Sequence, residues 1–185
     1  MNKMIKRIIL ATTCVIALGT GVWYYTSRVQ TPVYEFEFAR DSESILDMFK
    51  KDWYWLDASF EHYTPEAIIY KLKNRTPHIN PLYAGTMRIK VLREQDQLVG
   101  FITYHKENAD LGRILYLSVK SEMRGKRYGE VLARYAIDDL IAMGAKKIRL
   151  VTRTDNESAQ KLYKRLGFVE TSRSDGFVSF EYFVR

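Results

Sequence analysis

The residues best suited to chemistry lie between Leu115 and Phe168 of this 185-residue chain. Leu117-Ser118-Val119 ends an apolar run and feeds Arg124-Gly125-Lys126-Arg127-Tyr128-Gly129, which opens a helical pattern. Glycines at a strand-to-helix turn let backbone N–H groups approach a ligand. The first turn of the helix adds unpaired donors at the positive end of its dipole. The turn therefore suits a phosphate or pyrophosphate, with Lys120, Arg124, Lys126 and Arg127 supplying positive charge. It lacks the Gly-Lys-Ser/Thr ending of a nucleotide P-loop and the three glycines of a dinucleotide fingerprint. Taken alone, it reads equally as a solvated basic loop.

Further on, Asn156 and Tyr163 stand seven residues apart, about two helical turns, and so share a face. A phenol on that face can donate a proton. Tyr163 also falls on the apolar stripe of Ala159, Leu162 and Leu166, where a tyrosine packs into a core. The residue pattern leaves both roles open.

The elements that must position these residues follow from periodicity. Val33–Arg40 alternates, placing Tyr34, Phe36 and Phe38 on one face of a predicted strand. Asp41-Ser42-Glu43 predicts a helix start, continuing through Ile45, Leu46, Met48 and Phe49. Thr64-Pro65-Glu66 predicts a second, with Thr as N-cap and Pro at the first helical position, running to about Leu72. The aromatic groups Trp53-Tyr54-Trp55 and Phe60, His62 and Tyr63 fall between the two. Met87–Leu92, Leu98–Tyr104 and Arg113–Val119 predict an antiparallel meander with turns at Gln95–Gln97 and Asn108–Gly112. A helix over Gly129–Met143 stops at Gly144, a fifth strand covers Ile148–Thr152, a helix covers Asn156–Leu166, and Phe177–Val184 closes as a strand. The expected fold class is α/β (α+β), with a mixed, mostly antiparallel central sheet flanked by helices.

The two chemical segments resemble the GNAT superfamily of acetyl-CoA-dependent N-acetyltransferases. Arg124–Gly129 is similar to the family's Arg/Gln-x-x-Gly-x-Gly/Ala loop, with Arg127 where the middle glycine usually sits. Asn156-Glu157-Ser158-Ala159-Gln160-Lys161-Leu162-Tyr163-Lys164-Arg165-Leu166-Gly167-Phe168 resembles the family's N-x-x-A-x-x-L-Y-x-x-x-G-F segment, and Gly144–Leu150 fits between. The resemblance is specific over about residues 87–170, consistent over 33–86 and absent before 30.

It implies acetyl-CoA as co-substrate, no metal, and an amine acceptor, either a protein or a small molecule. Leu117, Ser118 and Val119 would then line the cofactor, with Val119 offering backbone groups to the pantetheine arm. The amides of Arg124, Gly125, Lys126, Arg127, Tyr128 and Gly129 would hold the pyrophosphate. Asn156 would contact the cofactor near its thioester, and Tyr163 would protonate the departing thiolate. These roles are chemically consistent. A free amine attacks a thioester directly once both are positioned, and a thiolate with pKa near 8.5 needs only modest help from a phenol near 10. Some protein N-terminal acetyltransferases of the superfamily use a glutamate five residues before the Asn as base, and here that position is Val151. Tyr116, Ser118, His105 and Glu122 are the alternatives, beside a water chain, and His105 reads as a surface histidine between charged neighbours. Trp53, Trp55, Phe60 and Tyr63 could line an acceptor pocket or pack in the core; Asp52, Asp57 and Glu61 could attract an ammonium or lie at the surface.

Composition sets the outer bounds. With 46% apolar residues and one cysteine, the chain is neither disordered, collagenous nor a disulfide-stapled mini-domain. Of the formal charge of +7, Lys3, Lys6, Arg7 and Arg28 contribute four unopposed positive charges, leaving 25 basic against 22 acidic residues beyond position 30. No nucleic acid is expected from so balanced a body, and Lys146, Lys147, Arg149 and Arg153 scatter across both strand faces.

Residues 1–30 are expected to form a hydrophobic segment ahead of an N-acetyltransferase domain over 31–185. The uncharged run Ile8–Tyr25 spans about 27 Å as a helix, close to a bilayer's hydrocarbon thickness, and ends in Trp23, Tyr24 and Tyr25. It predicts a single-pass membrane anchor through residues 8–25. A cleavable signal peptide, with a small-residue site at Ala17-Leu18-Gly19, is the alternative, and Cys14 is then an apolar residue within the segment. The basic start predicts export of the body, whereas acetyl-CoA is cytosolic. A catalytically inactive, membrane-tethered module on the same scaffold is the competing function.

Overall fold

The computed structural model describes residues 32–56, 64–78 and 81–184, all within a compact unit that begins at Pro32. The expected anchor or signal segment lies outside the described residues, as do Asp57, Phe60, Glu61, His62 and Tyr63. No helix among the described residues is long and apolar enough to cross a membrane.

The chain runs β1 (Val33–Glu35), α1 (Phe38–Leu56), α2 (Pro65–Asn74), β2 (Arg88–Glu94), β3 (Gln97–Lys106), β4 (Leu111–Val119), α3 (Tyr128–Ala142), β5 (Lys147–Arg153), α4 (Glu157–Arg165), β6 (Val169–Ser174) and β7 (Phe177–Phe183). The strands form one seven-stranded sheet in the order β1-β2-β3-β4-β5-β7-β6. All neighbouring pairs are antiparallel except β4–β5. A parallel pair needs a crossover, and α3 supplies it. Leu132, Ala133, Ala136, Ile137 and Leu140 of α3, with Tyr163 of α4, bury one face of the sheet. Ile45, Met48 and Phe49 of α1, with Ile68 and Leu72 of α2, bury the other.

Three local expectations are corrected. The strand predicted over Val33–Arg40 ends at Glu35, and the helix begins at Phe38, upstream of Asp41. The Asp41 carboxylate accepts the Glu37 N–H at 2.8 Å, closing the first turn, and receives Arg93 of β2 at 2.6 Å. Only Phe36 of the alternating aromatics is buried; Tyr34 and Phe38 are exposed. Trp53-Tyr54-Trp55 belongs to α1, which continues across a break at Asp52 (φ −110°, ψ 21°). The strand β6 had no expectation at all: every residue of Val169–Ser174 is exposed, so no apolar alternation marks it. The Thr64 N-cap is as expected, its hydroxyl accepting the Ala67 N–H at 3.3 Å.

The Asp41–Arg93 pair is almost fully buried, with side-chain exposures of 2% and 5%. Asp41→Ala strands the Arg93 charge in the interior and is expected to destabilise the domain by about 3 kcal/mol in denaturant unfolding.

Candidate active site

Strands β4 and β5 pair only at Leu111–Lys147, Gly112–Ile148 and Arg113–Arg149 and then part. The cause is a bulge in β4: Thr103 of β3 faces Tyr116, but Tyr104 faces Ile114, leaving Leu115 as the extra residue. The buried Thr103 hydroxyl accepts the Tyr116 N–H at 3.2 Å, so the irregularity leaves that donor satisfied. Beyond Arg113, the edge of β4 that faces β5 is open. A cleft of about 690 Å³ fills the gap.

Leu117, Ser118, Val119, Arg124, Gly125, Arg127, Tyr128, Gly129, Asn156 and Tyr163 all line this cleft. Of the residues expected at the site, Lys126 is the exception: its exposed side chain turns back to Met123, 3.9 Å from Nζ to Sδ. Tyr128 both belongs to the buried core and lines the cleft. Val151 also lines the cleft, so no acid stands at that position.

The turn into α3 carries the distinctive feature. The amides of Gly125, Lys126, Arg127, Tyr128 and Gly129 donate to no acceptor among the described residues, while the Arg127 carbonyl takes up Glu130 and Val131 at 3.0 and 3.1 Å. These free donors sit at the positive end of a 15-residue helix. The expectation that Arg124 adds its amide to them is corrected: that N–H bonds the Ser121 carbonyl at 3.3 Å. Its side chain is also engaged, donating to Asp52 and to the Val119 carbonyl.

Gly125 and Arg127 both have left-handed backbones, at φ +82° and +64°. This is the physical reason a glycine suits position 127, and arginine there bears a steric penalty without losing its free N–H. Arg127→Gly is expected to raise stability by up to about 1 kcal/mol, read as a higher melting temperature.

Asn156 is the N-cap of α4, its Oδ1 accepting the Ala159 N–H at 3.1 Å, which leaves its amide nitrogen without a partner among the described residues. Tyr163 is 7% exposed, and its ring packs against Phe168 and Phe180 with centroids 5.9 and 6.0 Å away. Its ring is core, yet the residue lines the cleft, and its hydroxyl has no partner among the described residues. Burial pushes the phenol up to about 12, so it is a donor throughout the physiological range.

The candidate bases separate clearly. His105 is buried, not at the surface, and does not line the cleft; its Nδ1 meets the Lys106 carbonyl at 3.2 Å and its Nε2 has no partner among the described residues. Burial holds its pKa below the ordinary value. Glu122 is exposed, and its own N–H and the Ser121 hydroxyl hold its pKa down, so it stays ionised. Ser118 donates to Asp52 at 3.3 Å. Tyr116 lines the cleft and accepts from the buried Lys71 ammonium at 3.3 Å, with Phe49 edge-on at 5.0 Å. On the far wall, Trp55 is 40% exposed and lines the cleft, whereas Trp53 is partly buried against Phe49. The Tyr54 hydroxyl donates to Asp155 at 2.6 Å.

The basic residues of β5 have local acid partners: Lys147 and Arg149 lie 3.1 and 3.7 Å from Glu181, and the adjoining Lys146 lies 3.0 Å from Asp110. Arg153 stacks over the Tyr54 ring at 4.1 Å.

A sheet split after its parallel pair, with free amides at the head of the crossover helix, is the architecture of an acyl-CoA-binding acetyltransferase. The chain belongs to the acetyltransferase (GNAT) family, whose pattern it matches over residues 42–168. It is 29% identical over 121 residues to a mycothiol acetyltransferase of Corynebacterium efficiens, covering 64% of this chain and 41% of that protein. It is 31% identical over 87 residues to N-alpha-acetyltransferase 30 of Schizosaccharomyces pombe, covering 45% of this chain and 58% of that one. The chain thus spans less than two thirds of the length of these curated relatives. Among solved structures, the fold is similar to Ard1 of Thermoplasma volcanium (TM-score 0.63, 23% identity, covering 85% of this chain and 99% of that one). It is also similar to PaiA N-acetyltransferase of Thermoplasma acidophilum, solved with coenzyme A (TM-score 0.67, 17% identity, covering 83% and 98%).

Proposed function

We propose that the protein transfers an acetyl group from acetyl-CoA to a primary amine, by direct attack while both are bound. The observation that carries this reading is the run of unpartnered amides from Gly125 to Gly129, opening on the same cleft as the unpaired edge of β4. Such donors bind an anion without further chemistry, and a diphosphate matches a run of several. The residues present therefore fit the cofactor: the turn holds its diphosphate, the β4 edge around Leu117 and Val119 holds its amide-containing arm, and Arg127 adds charge.

Acetyl-CoA supplies the activated acetyl group. The chain's part is to place it, exclude competing orientations and assist the departing sulfur. Val119 and the α3 turn fix the cofactor along the cleft, which converts the encounter with the amine into a positioned reaction. Asn156, already locked as a helix cap, presents its amide nitrogen to the cleft from a rigid base. Tyr163 donates from its hydroxyl to charge growing on the departing sulfur. Tyr116, held by Lys71, is a cleft-lining hydroxyl placed to hydrogen-bond the attacking amine, whose proton leaves to solvent.

The acceptor is a protein N-terminus, a lysine or a small amine; the relatives named for mycothiol and for N-alpha acetylation support a small-molecule and a protein amine respectively. The N-terminal run 8–25 tethers the domain to a membrane in this reading. Isothermal titration of the full-length chain with acetyl-CoA tests the function: saturable binding is expected, and no binding of any acyl-CoA would end it. Binding without turnover over a broad amine panel would instead favour an inactive binding module.

A further inference from the structure

We infer that Asp52 is a positioning residue for the cofactor turn, acting through Arg124 and not through contact with the ligand; this rests on the acetyl-CoA reading above. Asp52 is contributed by α1, far from the motif in sequence, at the one described position where that helix loses helical geometry. Its Oδ2 receives the Arg124 guanidinium at 2.5 Å and the Ser118 hydroxyl at 3.3 Å. The same guanidinium donates from Nε to the Val119 carbonyl at 3.0 Å. One planar fork therefore joins the last residue of β4 to α1 across the root of the turn, and the free amides from Gly125 to Gly129 hang from that root.

Electrostatics gives the arrangement a second consequence. A bare carboxylate beside a diphosphate site repels its ligand, and Asp52 is only 17% exposed, so little solvent screens it. Pairing with Arg124 cancels that charge. Arg127, which lines the cleft, has no ion-pair partner among the described residues and is left for the ligand. Arg124, the first residue of the motif, spends its charge on the protein itself.

The relation between two single variants and their double variant tests this in the full-length chain, with acetyl-CoA as ligand and calorimetric Kd as readout. Asp52→Asn is expected to weaken binding about 10-fold by loosening the turn. Arg124→Gln is expected to weaken it more, about 30-fold, because it both loosens the turn and bares the carboxylate. The double variant should return to about 10-fold, so that removing Asp52 partly rescues the loss of Arg124. A merely structural defect gives no such rescue, and melting of the ligand-free variants measures it separately. Multiplying effects would mean that Arg124 grips the phosphates directly, and would overturn the inference, as would wild-type affinity in D52N or tighter binding in R124Q. Where D52N fails to fold, Arg124→Lys replaces it: lysine keeps the charge but cannot bridge Val119 and Asp52 together, so about 10-fold weakening is expected and wild-type affinity overturns the proposal. A wild-type chain that binds no acetyl-CoA would remove the functional reading itself, a result distinct from all of these.

Discussion

Gly129→Glu is expected to weaken acetyl-CoA binding by at least about 100-fold while leaving the fold intact. The fold does not itself require glycine at this position. It lies in the first turn of α3 with ordinary helical backbone, and an added Cβ would meet Leu162 at 3.6 Å and Val119 at 3.8 Å, both normal contacts. In the proposed function, the space beside it is taken by the cofactor's diphosphate. A carboxylate here reaches those donors from the protein's own chain, and any diphosphate would then meet both a blocked cradle and a like charge. The same carboxylate is favourable at a helix N-terminus, by about 0.3–1 kcal/mol, so the variant should melt no lower than the parent. Gly129→Ala is the control. Alanine is the better helix former by about 1 kcal/mol and fits the available space, so stability should rise and affinity change only a few-fold. Calorimetry with acetyl-CoA and thermal melts of the three proteins decide the matter; undiminished affinity in the glutamate variant would place the diphosphate elsewhere.

This contrast between positions 127 and 129 shows what local sequence can convey. Glycine, or its substitute, is read correctly as punctuation in the turn, because a backbone twist and a helix start are properties of a few adjacent residues. The backbone differs at each position, however: a left-handed φ at Gly125 and Arg127, and ordinary helical backbone with normal van der Waals contacts at Gly129. The long periodic segments were equally legible. On α3 the stripe Leu132, Ala136, Leu140 is buried because the helix lies on the sheet along its length, and burial enforces the period that the sequence displays.

Legibility ends where partners are distant or solvent covers both faces. β6 carries no period because all of it is exposed, and its pairing with β7 is made by backbone. The start of α1 moved upstream because Asp41 is tied to Arg93, a tertiary pairing no local pattern records. The link from Asp52 to Arg124 spans 72 positions, so the motif identified Arg124 while hiding where its side chain goes. His105 was misjudged for the same reason: charged sequence neighbours suggested solvent, but the strand turns the ring inward. Asn156 carries a signal of its own in the sequence. An Asn before a helical run marks an N-cap, and the cap explains how its amide is held still.

Tyr163→Phe is expected to lower turnover about 100-fold while changing acetyl-CoA affinity less than about 3-fold. The separation follows from what the residue does at each end. Its ring is packed between Phe168 and Phe180, and phenylalanine preserves that packing. Its hydroxyl bonds nothing among the described residues, so removing it leaves no partner unpaired and stability should hold. Only the encounter with the reacting group is lost. The raised pKa, about 12, refines the role implied by the family resemblance. Full transfer of this proton to a thiolate of pKa near 8.5 is uphill by roughly 5 kcal/mol in the resting environment, so the hydroxyl acts first as a hydrogen-bond donor to charge developing on sulfur. Negative charge there favours the protonated phenol further, which keeps the donor in place as the bond breaks. Two measurements follow. Turnover on an amine panel, read by release of free thiol, should fall while calorimetric affinity stays. The wild-type pH–rate profile should show no descending limb from this tyrosine below about pH 11, because a group with its pKa held high loses its proton only above that range. An unchanged rate in the phenylalanine variant would return Tyr163 to the core alone and leave the departing sulfur to solvent.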